Sequence, residues 1–243
     1  GSPTELSHMM NSDEHANSLA NEHMEFDVEK IYFDAYPQLS TPGGERYPDA
    51  AADINRKVTD GALIVNYIGH GGERGWAHER VLTSTMIRDW DNAYRMPLFM
   101  TATCELARFD DPEVESAGEL MVLNPNGGAI GMLTTTRVVF SSSNQELNRA
   151  FYDVALEDEA FEDLRLGDIA RITKNDPQVS NTSNKRNFTL LGDASMKLAY
   201  PQYEVVLSSM PDSVRALELF QGSGFIADAN GDTLSSFNGQ VTV

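Results

Sequence analysis

The sequence predicts an α/β domain, a mostly parallel sheet flanked by helices, followed by the opening strands of a β module. Three observations carry this. Apolar runs at 62–68, 97–103 and 129–135 are short, rich in β-branched and aromatic residues, and bounded by turn residues. Such runs read as strands buried on both faces, as in parallel sheets. Helical patterns separate them, which makes βαβ units and sets the strands side by side. From Tyr200-Pro201 onward the pattern becomes alternating, with Glu204–Leu207, Ala216–Phe220, Phe225–Ala227 and a final Gly239–Val243. That change reads as a partial immunoglobulin-like β-sandwich over 201–243.

The elements follow in order. Residues 1–11 read as a tag or frayed start, because Gly1-Ser2-Pro3 and Ser7-His8-Met9 look like tag remnants; the chain is accordingly read as a piece of a longer protein. Ser12 to His23 fits a helix with Ser12 as N-cap and Asp13 and Glu14 in the first turn. Lys30–Phe33 fits a short strand, and Tyr36–Asp49, with Pro37, Pro42-Gly43-Gly44 and Pro48, an irregular loop. Asp49–Thr59 is helical, with Ala51, Ile54 and Val58 on one face and Gly61 ending it. Ser84–Asn92 fits the crossover helix between the first two apolar runs. Ser116 with Glu119 forms a capping box for a helix over Ala117–Leu123. Ser143 or Asn144 caps a helix running to about Glu157, Leu166–Asn175 is another, and Asn187–Leu191 is a strand.

Composition narrows the function. There are 37 acidic against 18 basic residues, a net charge of −19, which argues against nucleic acid and against an anionic membrane surface as partner. No apolar run reaches transmembrane length. Cys104 is the one cysteine, so no internal disulfide forms.

The chemistry collects at strand ends. In open parallel sheets functional groups gather beyond the carboxyl ends of the strands. The run 62–68 ends in Gly69-His70-Gly71-Gly72, and the run 97–103 ends in Cys104-Glu105. Neighbouring strands would bring His70 and Cys104 to one edge, as a cysteine nucleophile and its histidine base require. A lone strand-end cysteine is more often a small buried hydrophobe, and a histidine there a structural one; the pairing argues for acyl transfer. The backbone N–H groups of Gly71 and Cys104 are candidates for an oxyanion hole. Asn66, Glu73, Glu79 and Glu105 are candidates to orient the imidazole, each equally readable as solvated polarity. Trp76 either lines a substrate pocket or packs the loop. His78 with His70 and Cys104 is too thin a ligand set for zinc, so no metal is expected. The acidic turn Asp110-Asp111-Pro112-Glu113 is a candidate for calcium or a basic substrate group, beside the reading as a solvated turn; otherwise no cofactor is expected. Asp228–Asp232 lacks the closing glutamate of a calcium loop, position 239 being glycine, and reads as a hairpin turn.

Several of these segments, taken together and in order, resemble a known family. NYIGHGG (66–72), TATCE (101–105), GGAIG (127–131) and FTLLGD (188–193) resemble the gingipain family of cysteine peptidases. GWAHERVL (75–82), ARFDDPE (107–113) and SAGE (116–119) are similar to its branch of cell-surface sortases of the type IX secretion system of Bacteroidetes. The resemblance spans roughly 12–200 and implies a caspase-like fold, N-terminally truncated here, followed by an immunoglobulin-like domain. It implies His70 as general base and Cys104 as nucleophile. It implies removal of C-terminal sorting domains from secreted cargo and transfer of the new C-terminus to lipopolysaccharide, at the outer surface and among outer-membrane secretion proteins. A non-catalytic scaffold binding cargo tails and a general gingipain-type protease are the alternatives.

Overall fold

The computed structural model describes residues 3–157, 164–211, 213, 215–216, 219–228 and 230–238. It divides into two units, Gly1–Leu198 and Ala199–Val243. In the first unit a long helix α1 (Pro3–Glu22) precedes a 3-10 turn at Phe33–Ala35, a hairpin β1 (Leu39–Thr41) and β2 (Gly44–Arg46), and helix α2 (Pro48–Asp60). Next come β3 (Ile64–Ile68), the short strands β4 (Gly71–Gly72), β5 (Gly75–Trp76) and β6 (Leu82–Thr83), and helix α3 (Ser84–Arg88). The chain continues through β7 (Leu98–Ala102), α4 (Ala117–Leu123), β8 (Gly131–Thr135), α5 (Ser141–Ala155), α6 (Leu166–Asn175), α7 (Ser183–Asn187) and β9 (Phe188–Gly192).

The main sheet has the order β3-β7-β8-β9. β3, β7 and β8 are parallel, and β9 runs antiparallel to β8, so the sheet is mixed. β7 and β8 are buried at every position, which is why the apolar runs show no alternation. Their side chains still divide between two faces. Phe99 and Met132 point into a core with Ile54 and Val58 of α2, Ile87 of α3 and Met121 of α4. On the opposite face Asn66 of β3 meets Asn148 of α5 in a reciprocal amide pair, at 3.2 and 2.9 Å. Helices thus cover both faces and leave the C-terminal strand tips as the rim on which a site can be built.

Four local expectations are corrected. α1 begins at Pro3, a residue suited to a first helical turn, so Ser12 lies inside the helix and not at its cap. Lys30–Phe33 is not a strand: Lys30 and Tyr32 reach back to Asp13 of α1, and the chain then turns at Phe33–Ala35. α3 stops at Arg88 because Trp90 and Asn92 turn inward. α5 begins at Ser141, since Asn144 spends its side-chain oxygen on Asn184 and caps nothing. The Ser116–Glu119 capping box is present with both bonds made.

The second unit contains an antiparallel ladder of β10 (Glu204–Ser209) and β11 (Ser223–Ala227). After it Asp228 accepts the amides of Asn230 and Asp232 in a turn. Among the described residues this one ladder is what stands where a sandwich was expected; no strand forms over 216–220, of which 217–218 lie outside the described residues, as do residues 239–243. No helix among the described residues is long and apolar enough to cross a membrane.

Candidate active site

The site is built from the register of two strands. β3 and β7 pair in parallel as far as Ile68 with Ala102, and the Gly69 amide donates to the Ala102 carbonyl at 3.4 Å. His70 and Cys104 therefore follow at matching positions, two residues beyond the last pair on adjacent tips. The glycine loop lies against the second tip: a side chain on Gly71 would overlap Thr103 Oγ1, next to Cys104. Gly75, at φ 136°, comes equally close to the Leu82 carbonyl and lets β5 and β6 pair tightly.

The His70 backbone is pinned and its ring is free to meet solvent. Its carbonyl accepts from the Ala77 amide at 2.8 Å and from the Tyr67 hydroxyl at 2.7 Å. Burial pushes the Tyr67 phenol far above its ordinary value and keeps it a donor. The Ala77 bond makes 70/77 a hydrogen-bonded pair of the β4–β5 ladder, so Gly71 occupies a non-bonded pair and its N–H points away from β5. The exposed imidazole lies edge-on to His8 at 5.2 Å and 6.0 Å from His78. Trp76 is 2% exposed and stacks on Tyr67 at 4.3 Å, so it packs the loop while also bordering two cavities that His70 borders.

Cys104 is half-buried, and its thiol donates to the Val139 carbonyl at 3.7 Å. Among the described residues no hydrogen bond joins it to His70. Glu105, the next residue, has φ 50°, a left-handed backbone that a glutamate adopts only when its surroundings impose it. Those surroundings are visible: the Glu105 amide donates to Arg137 and the Ala107 amide to Thr135, at 3.4 and 3.0 Å. The turn after Cys104 is thereby fastened to the end of β8.

Of the candidate orienting residues, Asn66 is held by Asn148 across the sheet and Glu73 by Arg108 at 2.8 Å. Glu105 lies 3.9 Å from Arg108. Glu79, with His78, borders a cavity of about 1270 Å³ between α1, residues 26–34 and β3. His70 borders this cavity and a second one of about 800 Å³ lined by Gly71–Gly75, Thr83 and Glu105. In the acidic turn, Arg137 pairs with Asp110 at 2.9 Å and draws its carboxyl below the usual range, while Asp111 lies 3.8 Å from Arg108. Among the described residues no group of three His, Cys, Asp or Glu side chains is arranged to hold a metal ion. Arg108, Arg137, Tyr67 and Val139 are the residues that sequence reasoning missed. Only Arg108, a cation among Glu105, Asp110, Asp111 and Glu113, carries a local signal.

Solved structures with this fold include a complex of the pro- and mature domains of RgpB from Porphyromonas gingivalis (16% identity, TM-score 0.53). The Arg-specific cysteine proteinase gingipain R, also RgpB, matches at 16% identity and TM-score 0.52, and a structure described as a protease at 18% and 0.51. Each match covers 65% of this chain but only 39–40% of the other, so the chain spans about two fifths of their length. No curated protein matches the sequence. The profile of Peptidase family C25 matches residues 3–199, most of the chain. With a caspase-like α/β fold and that match, the chain belongs to peptidase family C25, the gingipain family of cysteine peptidases.

Proposed function

We propose that this chain carries the catalytic dyad of a cell-surface cysteine endopeptidase with transpeptidase ability, of the kind represented by PorU, the sortase of type IX secretion. The observation that supports it most is the β3–β7 register, which matches His70 to Cys104 at adjacent strand tips, with Gly71 seated against Thr103. The finer assignment leans on the spaced segments at 75–82, 107–113 and 116–119.

In this reading His70 takes the thiol proton and Cys104 Sγ attacks the scissile carbonyl. The Gly71 and Cys104 amides receive the oxyanion. His70 returns the proton to the leaving amine, leaving a thioester that water or an acceptor amine resolves. The acceptor is lipopolysaccharide and the donor is cargo bearing a C-terminal sorting domain, presented by outer-membrane secretion proteins. No cofactor enters the cycle. The thiol donates to the Val139 carbonyl, so attack begins with its proton turning from that carbonyl to His70.

The same bond favours a second reading, a non-catalytic scaffold whose thiol is merely stored. Mass spectrometry of purified cargo incubated with the full-length protein separates the two. The dyad predicts one cut, a conjugate mass when an amine acceptor is present, and a loss of at least about 10³-fold in Cys104→Ala. Unchanged processing by Cys104→Ala ends the proposal, and many scattered cuts favour a general protease over a sortase.

A further inference from the structure

β3 is the outer strand of the main sheet, and its free side is unspent. The Leu63 carbonyl accepts from Leu98 and the Gly69 amide donates to Ala102, so the odd-numbered residues turn their main-chain groups toward β7. Ile64, Asn66 and Ile68 therefore turn theirs outward. Among the described residues no main-chain partner reaches those outward N–H and C=O groups, and residues 26–34, which pass alongside, make no main-chain bond to them. Sheets blunt such an edge with a charge, a proline or a bulge, and Ile64-Val65-Asn66-Tyr67-Ile68 has none of these. The edge faces the cavity of about 1270 Å³, which runs along all of β3 to Gly69 and His70. Elements from both faces of the sheet border this space, Tyr152 of α5 beyond one and Ile54 and Val58 of α2 beyond the other. A further strand would lie between them. One buried group in the wall also lacks a partner: His15 of α1 is 8% exposed, and its Nε2 has no hydrogen-bond partner among the described residues. The space exceeds the roughly 300–1,000 Å³ of a small-molecule pocket. An acyl chain would fill it and leave the main-chain groups of β3 unmet, whereas an extended peptide running beside β3 for about 17 Å meets them.

We infer that the outer edge of β3 docks an extended, apolar-rich stretch of the peptide substrate, which adds there as a further strand and then crosses past His70 to present its scissile bond to Cys104. The continuity of the cavity with His70 is what assigns the edge to substrate. The edge position stands two strand spacings from β7, about 10 Å, so about three extended residues make the crossing and the docked stretch lies at a distance from the cut. The assignment to substrate rests on the dyad reading, and the test keeps the two apart. Binding of a fluorescent acetyl-Lys-Thr-Val-Thr-Val-Thr-Val-Lys amide to the full chain is followed by anisotropy, beside two isomers N-methylated at the three threonines or at the three valines. Only one set of amides can face β3. Loss of those main-chain bonds should weaken one isomer at least about tenfold, while the other stays within about threefold of the parent peptide. Absence of saturable binding, or equal binding of the two isomers, overturns the docking edge. In the full-length protein Ala16→Trp, which fills the cavity from α1, should raise KM for cargo at least about tenfold and leave kcat within about threefold. An unchanged KM overturns the assignment to substrate. Circular dichroism verifies that the variant is folded, and the isomer comparison needs no variant. Iodoacetamide labelling of Cys104 reports on the dyad alone: an inert thiol in a chain that still tells the two isomers apart overturns the dyad and leaves the edge standing.

Discussion

Thr103 is the residue on which the two halves of the site meet. It is buried, its carbonyl accepts from Thr135, and Gly71 packs on its hydroxyl. That hydroxyl has no hydrogen-bond partner among the described residues. A buried hydroxyl without a partner costs about 1–3 kcal/mol, which an apolar isostere recovers. Thr103→Val should therefore raise the thermal midpoint by a few degrees, corresponding to about 1 kcal/mol by calorimetry; a lowered midpoint would reveal a partner for the hydroxyl. At this scale the sequence was informative where chemistry follows strand ends. His70 and Cys104 stand out because an apolar run stops and a reactive residue follows. Arg137 and Val139 gave no such sign. Their roles come from β8 lying beside β7, a relation between residues more than thirty positions apart in the chain.

Among elements, the buried Asn92 joins three that are distant in sequence. Its amide donates to the Val58 carbonyl at the end of α2 and to Gly128 before β8, and its oxygen accepts from the Gly128 amide at 2.7 Å. This explains why α3 is short: the chain must leave the helix to deliver Asn92 into the gap. Asn92→Ala breaks three bonds and strands buried partners, so it should cost about 3 kcal/mol in denaturant unfolding. A cost under about 1 kcal/mol would mean that water replaces the amide. Helix α2 and the capping box were legible because their signals are local. The end of α3 was not, because periodicity cannot show that a polar residue inside an apolar pattern has partners waiting elsewhere. Lys30–Phe33 failed for a related reason. Its alternation sends Lys30 and Tyr32 to Asp13 and leaves Ile31 and Phe33 packed on the core, without a neighbouring strand to pair with.

The first unit as a whole carries a pH dependence centred on α1. His15 is buried, and burial pushes its imidazole below the ordinary value near 6.5. Protonation is then easier in the unfolded chain, so the contribution is complete above pH 6.5 and is lost as pH falls from there toward the folded value. Asp153 works the other way, since burial raises its carboxyl and acid relieves it. The thermal midpoint should decline below pH 6.5, and His15→Gln should flatten that decline while leaving the carboxylate-driven loss below the ordinary aspartate range; identical profiles would show that His15 does not titrate with unfolding.

Because β3, β7 and β8 point the same way, the three segments that emerge from their tips share one rim yet are separate stretches of chain. The glycine loop and the turn at Cys104 are locked by contacts that tolerate little change. The segment at 136–140 is held through its main chain and through Thr136 and Arg137, so the outward side chains of Val138 and Phe140 are not what fastens it. Val138 and Phe140 can therefore be exchanged without disturbing the strand tips that carry His70 and Cys104.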